Sequence, residues 1–262
     1  MAQLMAGKRG LVLGVANDHS LAWGIAKVLS SHGAEMAFTY QGEGFGRRVR
    51  PLAESIGATM ILPADVQDPA SLDALFEALT ENWGSLDFIV HAIAYSDKSE
   101  LDGRFVETSR ENFLNSLDIS CYSLVELTRR AEPLMSEGSS IITLTYIGAQ
   151  RVTPNYNVMG VAKAALESAV RYLANDLGPK GIRVNAVSPG PMRTLAGAAI
   201  AGSRKVYKVT EQNAPMRKNA SLESVGGAAL YLLSDLSSCT SGEVIFVDGG
   251  FHILGMAQPE NL

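Results

Sequence analysis

Apolar, β-rich runs alternate with helical patterns from one end of this chain to the other, and that alternation limits its fold more than any other feature. Strand signals fall near Arg9–Val15, Glu35–Tyr40, Thr59–Ala64, Asp87–Ile93, Ser140–Thr145, Arg183–Val187 and Glu243–Val247. Helical signals fall near Leu21–His32, Gly44–Ile56, Ala70–Trp83, Arg110–Met135, Pro154–Asp176 and Leu222–Ser234. Several strands are continuously apolar (Leu11-Val-Leu13, Phe88-Ile-Val90, Ile141-Ile-Thr-Leu144), as strands of a parallel sheet covered on both faces are. Repeated strand–helix units demand right-handed crossovers. They predict a single-domain, Rossmann-like doubly wound α/β fold, a parallel sheet of about seven strands with helices on both faces. No Pro/Ser-rich linker or fixed-period repeat divides residues 1–262.

Hydrophobic residues make up 47% of the chain and charged ones 19%, an ordinary balance for a soluble protein with a large core. A net charge of −5 argues against nucleic acid as the main partner. Cys121 and Cys239 lie in apolar contexts without metal-ligand spacing, which predicts two buried free thiols in a reducing compartment. His19, His32, His91 and His252 also lack ligand spacing, so no metal is expected. No cleavable signal precedes the first strand and no apolar run approaches a membrane span, so no membrane insertion is expected and the cytoplasm is the default location.

The stretch from Tyr146 to Lys163 carries the chemistry. Thr153 reads as an N-cap and Pro154 as the first helical residue, which puts Tyr156 in the first turn. Lys163, seven residues on, then faces the same side roughly 10 Å further along the axis, with Met159 between. A phenol and an ammonium at that separation suit a ribose.

The loop after the first strand, Gly14 to Gly24, fits the phosphate end of such a ligand, because helix N-termini at strand carboxyl ends favour anions. Gly14 can make the tight exit, Ser20 can cap the helix or donate to phosphate, and Leu21 opens the helix. Gly24 permits close helix–sheet packing. The loop is longer and poorer in glycine than G-x-G-x-x-G. Gln41 replaces the acid expected after the second strand, and a neutral amide can still accept from the adenine ribose. Arg47 and Arg48 could reach a 2′-phosphate, but they read better as a solvated helix face, which favours NADH over NADPH. Asp65 and Val66 follow the third strand and could hold the adenine. Ile93, ending the fourth, would lie beside the cofactor.

Together these residues resemble the short-chain dehydrogenase/reductase superfamily, and more narrowly the bacterial enoyl-acyl carrier protein reductases. The likeness runs from Gly14 through Phe38-Thr-Tyr-Gln41, Asp65-Val66, His91-Ala-Ile-Ala94, Tyr146, Tyr156 and Lys163 to Gly190–Ala196 and Asp248-Gly-Gly-Phe251. Its discriminating feature is Tyr-x6-Lys in place of Tyr-x3-Lys, with Gly160 where the shorter spacing needs lysine. The resemblance implies reduction of a trans-2-enoyl thioester on acyl carrier protein by NADH. Tyr156 would hydrogen-bond the developing enolate, Lys163 would bond the nicotinamide ribose, and Tyr146 would be a second site residue. Met159 and Ser96 would line the acyl pocket, and Met192, Arg193, Thr194, Leu195 and Ala196 would contact the nicotinamide end. The chain departs from the pattern at Pro189, where alanine is more usual, and at Ala94-Tyr95-Ser96, which replaces Gly-Phe-Ala.

Thr194–Val209 is rich in small residues and lacks strong caps, so it reads as a mobile helical lid at 194–209 over the acyl chain. Arg204, Lys205 and Lys208 on it could dock an acidic carrier protein. Analogy with the family also implies a homotetramer. Two rivals remain at this level: a superfamily reductase acting on a ketone or alcohol, and a non-catalytic nucleotide binder on the same fold.

Overall fold

The computed structural model describes residues 3–261. Its frame is one parallel sheet built from β1 (Arg9–Leu13), β2 (Glu35–Tyr40), β3 (Met60–Pro63), β4 (Phe88–His91), β5 (Ser140–Leu144), β6 (Arg183–Pro189) and β7 (Val244–Val247). The strand order is β3-β2-β1-β4-β5-β6-β7, the doubly wound arrangement. β4 and β5 are buried at every position, which accounts for the apolar runs Phe88–Val90 and Ile141–Leu144.

The helices divide between the faces. On one side α1 (Leu21–Ser31), α2 (Gly42–Ser55) and α9 (Leu222–Leu233) close a core around Ile25, Leu29, Phe38, Phe88 and Leu232. On the other, α3 (Pro69–Asn82), α5 (Ser123–Ala131) and α6 (Asn157–Leu177) enclose Leu72, Leu79, Leu127, Leu166 and Val170. Asp68 caps α3 through Ala70 N–H, with Pro69 in the first helical position.

Four local expectations need correction. The helix predicted over 110–135 is α4 (Arg110–Leu117) and α5 joined by one wide turn, Asp118–Tyr122, and it closes in a tight turn at Glu132–Leu134. Ser123 Oγ donates to Ile119 C=O at 2.7 Å in the wide turn, a back-bond that competes with the regular ladder. The helix predicted from Pro154 begins at Asn157, because Asn155 and Asn157 take φ of 59° and 34° and interrupt a right-handed spiral. Tyr156 is thus the residue before the helix, and Thr153 is no cap. β6 runs on through Ser188 and Pro189, paired with Phe246 and Val247, where the missing proline N–H is tolerated at a strand end. Finally, both cysteines are free, but Cys239 is exposed, since it sits in the turn between α9 and β7; Cys121 is partly buried.

Gly24 serves a different contact from the helix–sheet one expected of it. A Cβ there would lie 2.7 Å from Leu222 Cβ, and one at Gly226 would lie 2.5 Å from Val28 and 3.1 Å from the Gly24 carbonyl. The two glycines let α1 and α9 approach backbone to backbone. Gly226→Val is therefore expected to lower stability by about 1–3 kcal/mol through overpacking, read as a fall in the urea midpoint at unchanged slope.

Candidate active site

The sheet's order reverses between β1 and β4, and the two loops leaving these strands part there. Gly14 makes the exit from β1 at φ 98°, and a Cβ on it would lie 2.0 Å from the Ala92 carbonyl, so only glycine fits. Two cavities open at this point, of about 610 and 370 Å³, and both are bordered by Gly14, Ala16, Ile93 and Tyr95. Ile93 lies two residues beyond the end of β4, not within the strand.

The smaller cavity holds the residues expected at a nucleoside end: Gln41, Asp65 and Val66. Gln41 Nε2 donates to Asp65 Oδ2 at 3.0 Å, which turns the amide so that its oxygen can accept. Arg47 and Arg48 are exposed on α2 and border neither cavity. Ser20 lies in the larger cavity with Leu21, but it does not cap α1. Its hydroxyl accepts from Ala16 and Asn17 N–H at 3.0 and 3.1 Å, because the long 14–20 loop needs an internal tie.

The larger cavity gathers Tyr146, Tyr156, Met159 and Lys163, together with Ser96. The same cavity is bordered by Met192, Thr194, Leu195 and Ala196, from the segment that continues into α7 (Leu195–Ala199) and α8 (Ser203–Asn213). Thr194 Oγ1 accepts from Gly197 N–H at 3.0 Å, so α7 does carry a side-chain cap, contrary to expectation. Arg193 departs from its expected place: it is exposed, and its guanidinium lies 4.7 Å over the Tyr207 ring, outside the cavity lining.

Two glycines set the tyrosines. The turn Ile147–Ala149 packs on the start of α6, where a Cβ at Gly148 would fall 2.4 Å from the Tyr156 ring. A Cβ at Gly160 would lie 2.9 Å from the Gly148 carbonyl, so that helix position faces a turn and not the cavity. The lysine is accordingly met one turn later. Tyr146 and Tyr156 sit edge to face, centroids 5.0 Å apart.

Lys163 is 5% exposed, and its Nζ donates to the Leu144 carbonyl at 2.7 Å. Burial pulls its ammonium down to about 8. Burial also pushes the Tyr146 phenol up to about 12, with the Asp248 charge adding to the effect. Tyr156 is raised further, by burial first and then by Tyr146 and Glu167, so both phenols remain protonated donors at neutral pH. His91 is wholly buried between Thr143 Oγ1 and Ser123 Oγ, each at 2.8 Å, and burial holds it neutral, its value lowered to about 3.

Sequence reasoning missed the floor of this site. Ser120, on the wide turn, accepts from Tyr95 N–H at 3.0 Å and donates to Tyr95 C=O at 3.1 Å, which pins the ridge between the two cavities. Wide helical turns often mark functional sites. Glu167 is 5% exposed and accepts from Thr145 and Gln150. Its signal was available as an acid one turn past Lys163 in a largely apolar helix.

The sequence model of the family described as "Enoyl-(Acyl carrier protein) reductase" matches residues 14–252. Over 262 residues the chain is 56% identical to "Enoyl-[acyl-carrier-protein] reductase [NADH] 2" of Rhizobium meliloti (strain 1021), covering all of this chain and 98% of that one. Among solved structures, FabI from Candidatus Liberibacter asiaticus superposes with a TM-score of 0.96 at 52% identity, covering 98% of this chain and 100% of that one. The enoyl-(acyl-carrier-protein) reductase of Anaplasma phagocytophilum, solved in complex with NAD, gives 0.95 at 56% identity, with 98% of both chains covered.

Gly148→Ala is expected to destabilise the fold by about 1–3 kcal/mol and to displace the Tyr156 ring. Urea denaturation reads the first effect and a crystal structure of the variant the second.

Proposed function

The chain belongs to the enoyl-(acyl carrier protein) reductase family, and on that premise we propose that it reduces trans-2-enoyl thioesters on acyl carrier protein with NADH. The observation that carries this reading is the pairing of a buried, protonated Tyr156 with a buried Lys163 in one cavity at the sheet's switch point. A mere nucleotide binder has no need of a proton-donating phenol there.

The residues present fit the cofactor. Lys163 uses one of its protons on Leu144 and keeps donors for ribose hydroxyls. The Gln41 carbonyl can accept from the adenine ribose, and the adjacent Asp65 charge disfavours a 2′-phosphate, which supports NADH over NADPH. Met192, Thr194, Leu195 and Ala196 would face the nicotinamide end. When bound, NADH supplies hydride to the β-carbon of the enoyl thioester.

Negative charge then develops on the thioester oxygen, and Tyr156 donates a hydrogen bond to it. A donor already held in place by Gly148 and the Tyr146 ring needs little reorganisation as the charge forms. Lys163 keeps the local field positive. Tyr146 donates from beside Tyr156, and Met159 and Ser96 border the space for the acyl chain. Residues 194–209 form a lid: Leu195, Ile200 and Val206 present apolar side chains to the cavity and would exclude water.

Arg204, Lys205 and Lys208 are exposed on α8 and enter no ion pair among the described residues, which leaves them for an acidic carrier protein. Among the described residues no helix is long and apolar enough to cross a membrane. A cytoplasmic homotetramer completes the proposal. Exposed Tyr122 on the wide turn, with Val161 and Tyr172 on α6, supplies apolar surface for subunit contacts.

The decisive assay is NADH oxidation with crotonyl-coenzyme A against acetoacetyl-coenzyme A, with NADPH in parallel. Turnover of the enoyl substrate with NADH is expected, and Tyr156→Phe should lower kcat/KM by about 100- to 1,000-fold; turnover of the keto substrate alone would reassign the enzyme to the ketone reductases. Reversing the charges at Arg204, Lys205 and Lys208 is expected to raise KM for the carrier-linked substrate and to spare the coenzyme A thioester. Equal loss on both would remove the docking role.

A further inference from the structure

Glu167 is an acid buried one turn beyond Lys163, and both of its oxygens are engaged. Oε1 accepts from the Thr145 hydroxyl at 2.8 Å, and Oε2 accepts from the Gln150 amide at 3.1 Å. Thr145 is the first residue past β5, and Gln150 ends the turn that carries Gly148. One carboxylate therefore ties both ends of the 145–150 segment to the helix that presents Lys163. Gly148, in the middle of that segment, is the residue against which the Tyr156 ring rests.

Hydrogen bonding alone would not require a charge here. A neutral amide could accept from Thr145, and the exposed Gln150 could turn over to match it. A buried carboxylate is expensive unless a cation compensates it. Lys163 is the cation at the same depth.

Among the described residues, the other groups that act on Lys163 bring no negative charge. Cys121 acts on it from the wide turn, but burial pushes that thiol up, so it stays protonated at neutral pH. Lys163 in turn acts on His91 of β4, which burial keeps neutral. β5 contributes only the Leu144 carbonyl, and the two phenols are protonated. Among these groups Glu167 is the one anion.

We infer that Glu167 is a positioning residue of the active site: its buried carboxylate braces the 145–150 segment behind Tyr156 and supplies the countercharge that keeps Lys163 an ammonium. The inference rests on the role proposed above for Lys163. Burial lowers the proton affinity of Lys163, and Cys121 and then Glu167 raise it; of these two, the thiol is itself pushed up by burial and carries no charge at neutral pH, which leaves Glu167. Loss of the charge should therefore move deprotonation of Lys163 toward lower pH, and with it the alkaline limit of activity.

The test compares Glu167→Gln, which keeps the reach and loses the charge, with Glu167→Asp, which keeps the charge and shortens the reach. Lys163 is titrated by NMR of ¹³C-labelled lysine, assigned with Lys163→Arg, and kcat/KM for crotonyl-coenzyme A is followed against pH. In Glu167→Gln the Lys163 titration and the alkaline limb should both move down by roughly one pH unit, while Glu167→Asp leaves both near wild type. A Glu167→Gln titration superimposed on wild type overturns the inference. So does an equal downward shift in Glu167→Asp, which also decides the matter if the glutamine variant does not fold. The NMR titration needs no turnover, so a wild-type enzyme inactive on crotonyl-coenzyme A would count against the proposed reaction and leave the test of Glu167 intact.

Discussion

Parallel pairing of β1 with β4, with Leu13 opposite His91, is the constraint on which the site depends. The helices after these two strands lie on opposite faces of the sheet, so the chain must diverge at their carboxyl ends and leave a crevice. Gly14 allows the divergence by taking a left-handed conformation against the Ala92 carbonyl. Both cavities border that junction, and Ser120 stiffens its far side through the Tyr95 backbone.

The second determinant is the close seat of the 147–149 turn on α6. Gly148 and Gly160 remove two side chains from the contact, and the space is taken by the Tyr156 ring and the Gly148 carbonyl. This packing explains the long tyrosine–lysine spacing in physical terms. Position 160 points at backbone, so an amine that is to reach the cavity has to come from the following turn. The same packing dehydrates Lys163 and both phenols, which keeps the phenols protonated and makes the lysine sensitive to nearby charge.

Much of the fold could be read from local patterns. The seven strands and the main helices fall where continuous apolar runs and helical periodicity put them, because a covered parallel sheet tolerates little else. The misplacements fall where long-range or conformational effects outweigh propensity. Pro154 looks like a helix start, but Asn155 and Asn157 take left-handed backbone angles, which composition does not encode. The 110–135 stretch reads as one helix, yet a wide turn around Ser120 interrupts it in the structure. Gly24 suggested helix–sheet packing, and only the arrival of α9, about two hundred residues later in the chain, makes it a helix–helix contact.

What the sequence determined by itself was the layer architecture and the kinds of chemistry available: a phenol, an amine and a glycine-led loop at strand carboxyl ends. Those follow from side-chain type and local spacing, which folding leaves unchanged. Tertiary structure decided which groups share a solvent-excluded volume. It placed Gln41 beside Asp65, sent Arg193 out onto Tyr207, and set Glu167 behind the segment that supports Tyr156. Charge, proton affinity and donor direction depend on burial and on neighbours distant in the chain, so no local pattern could have supplied them.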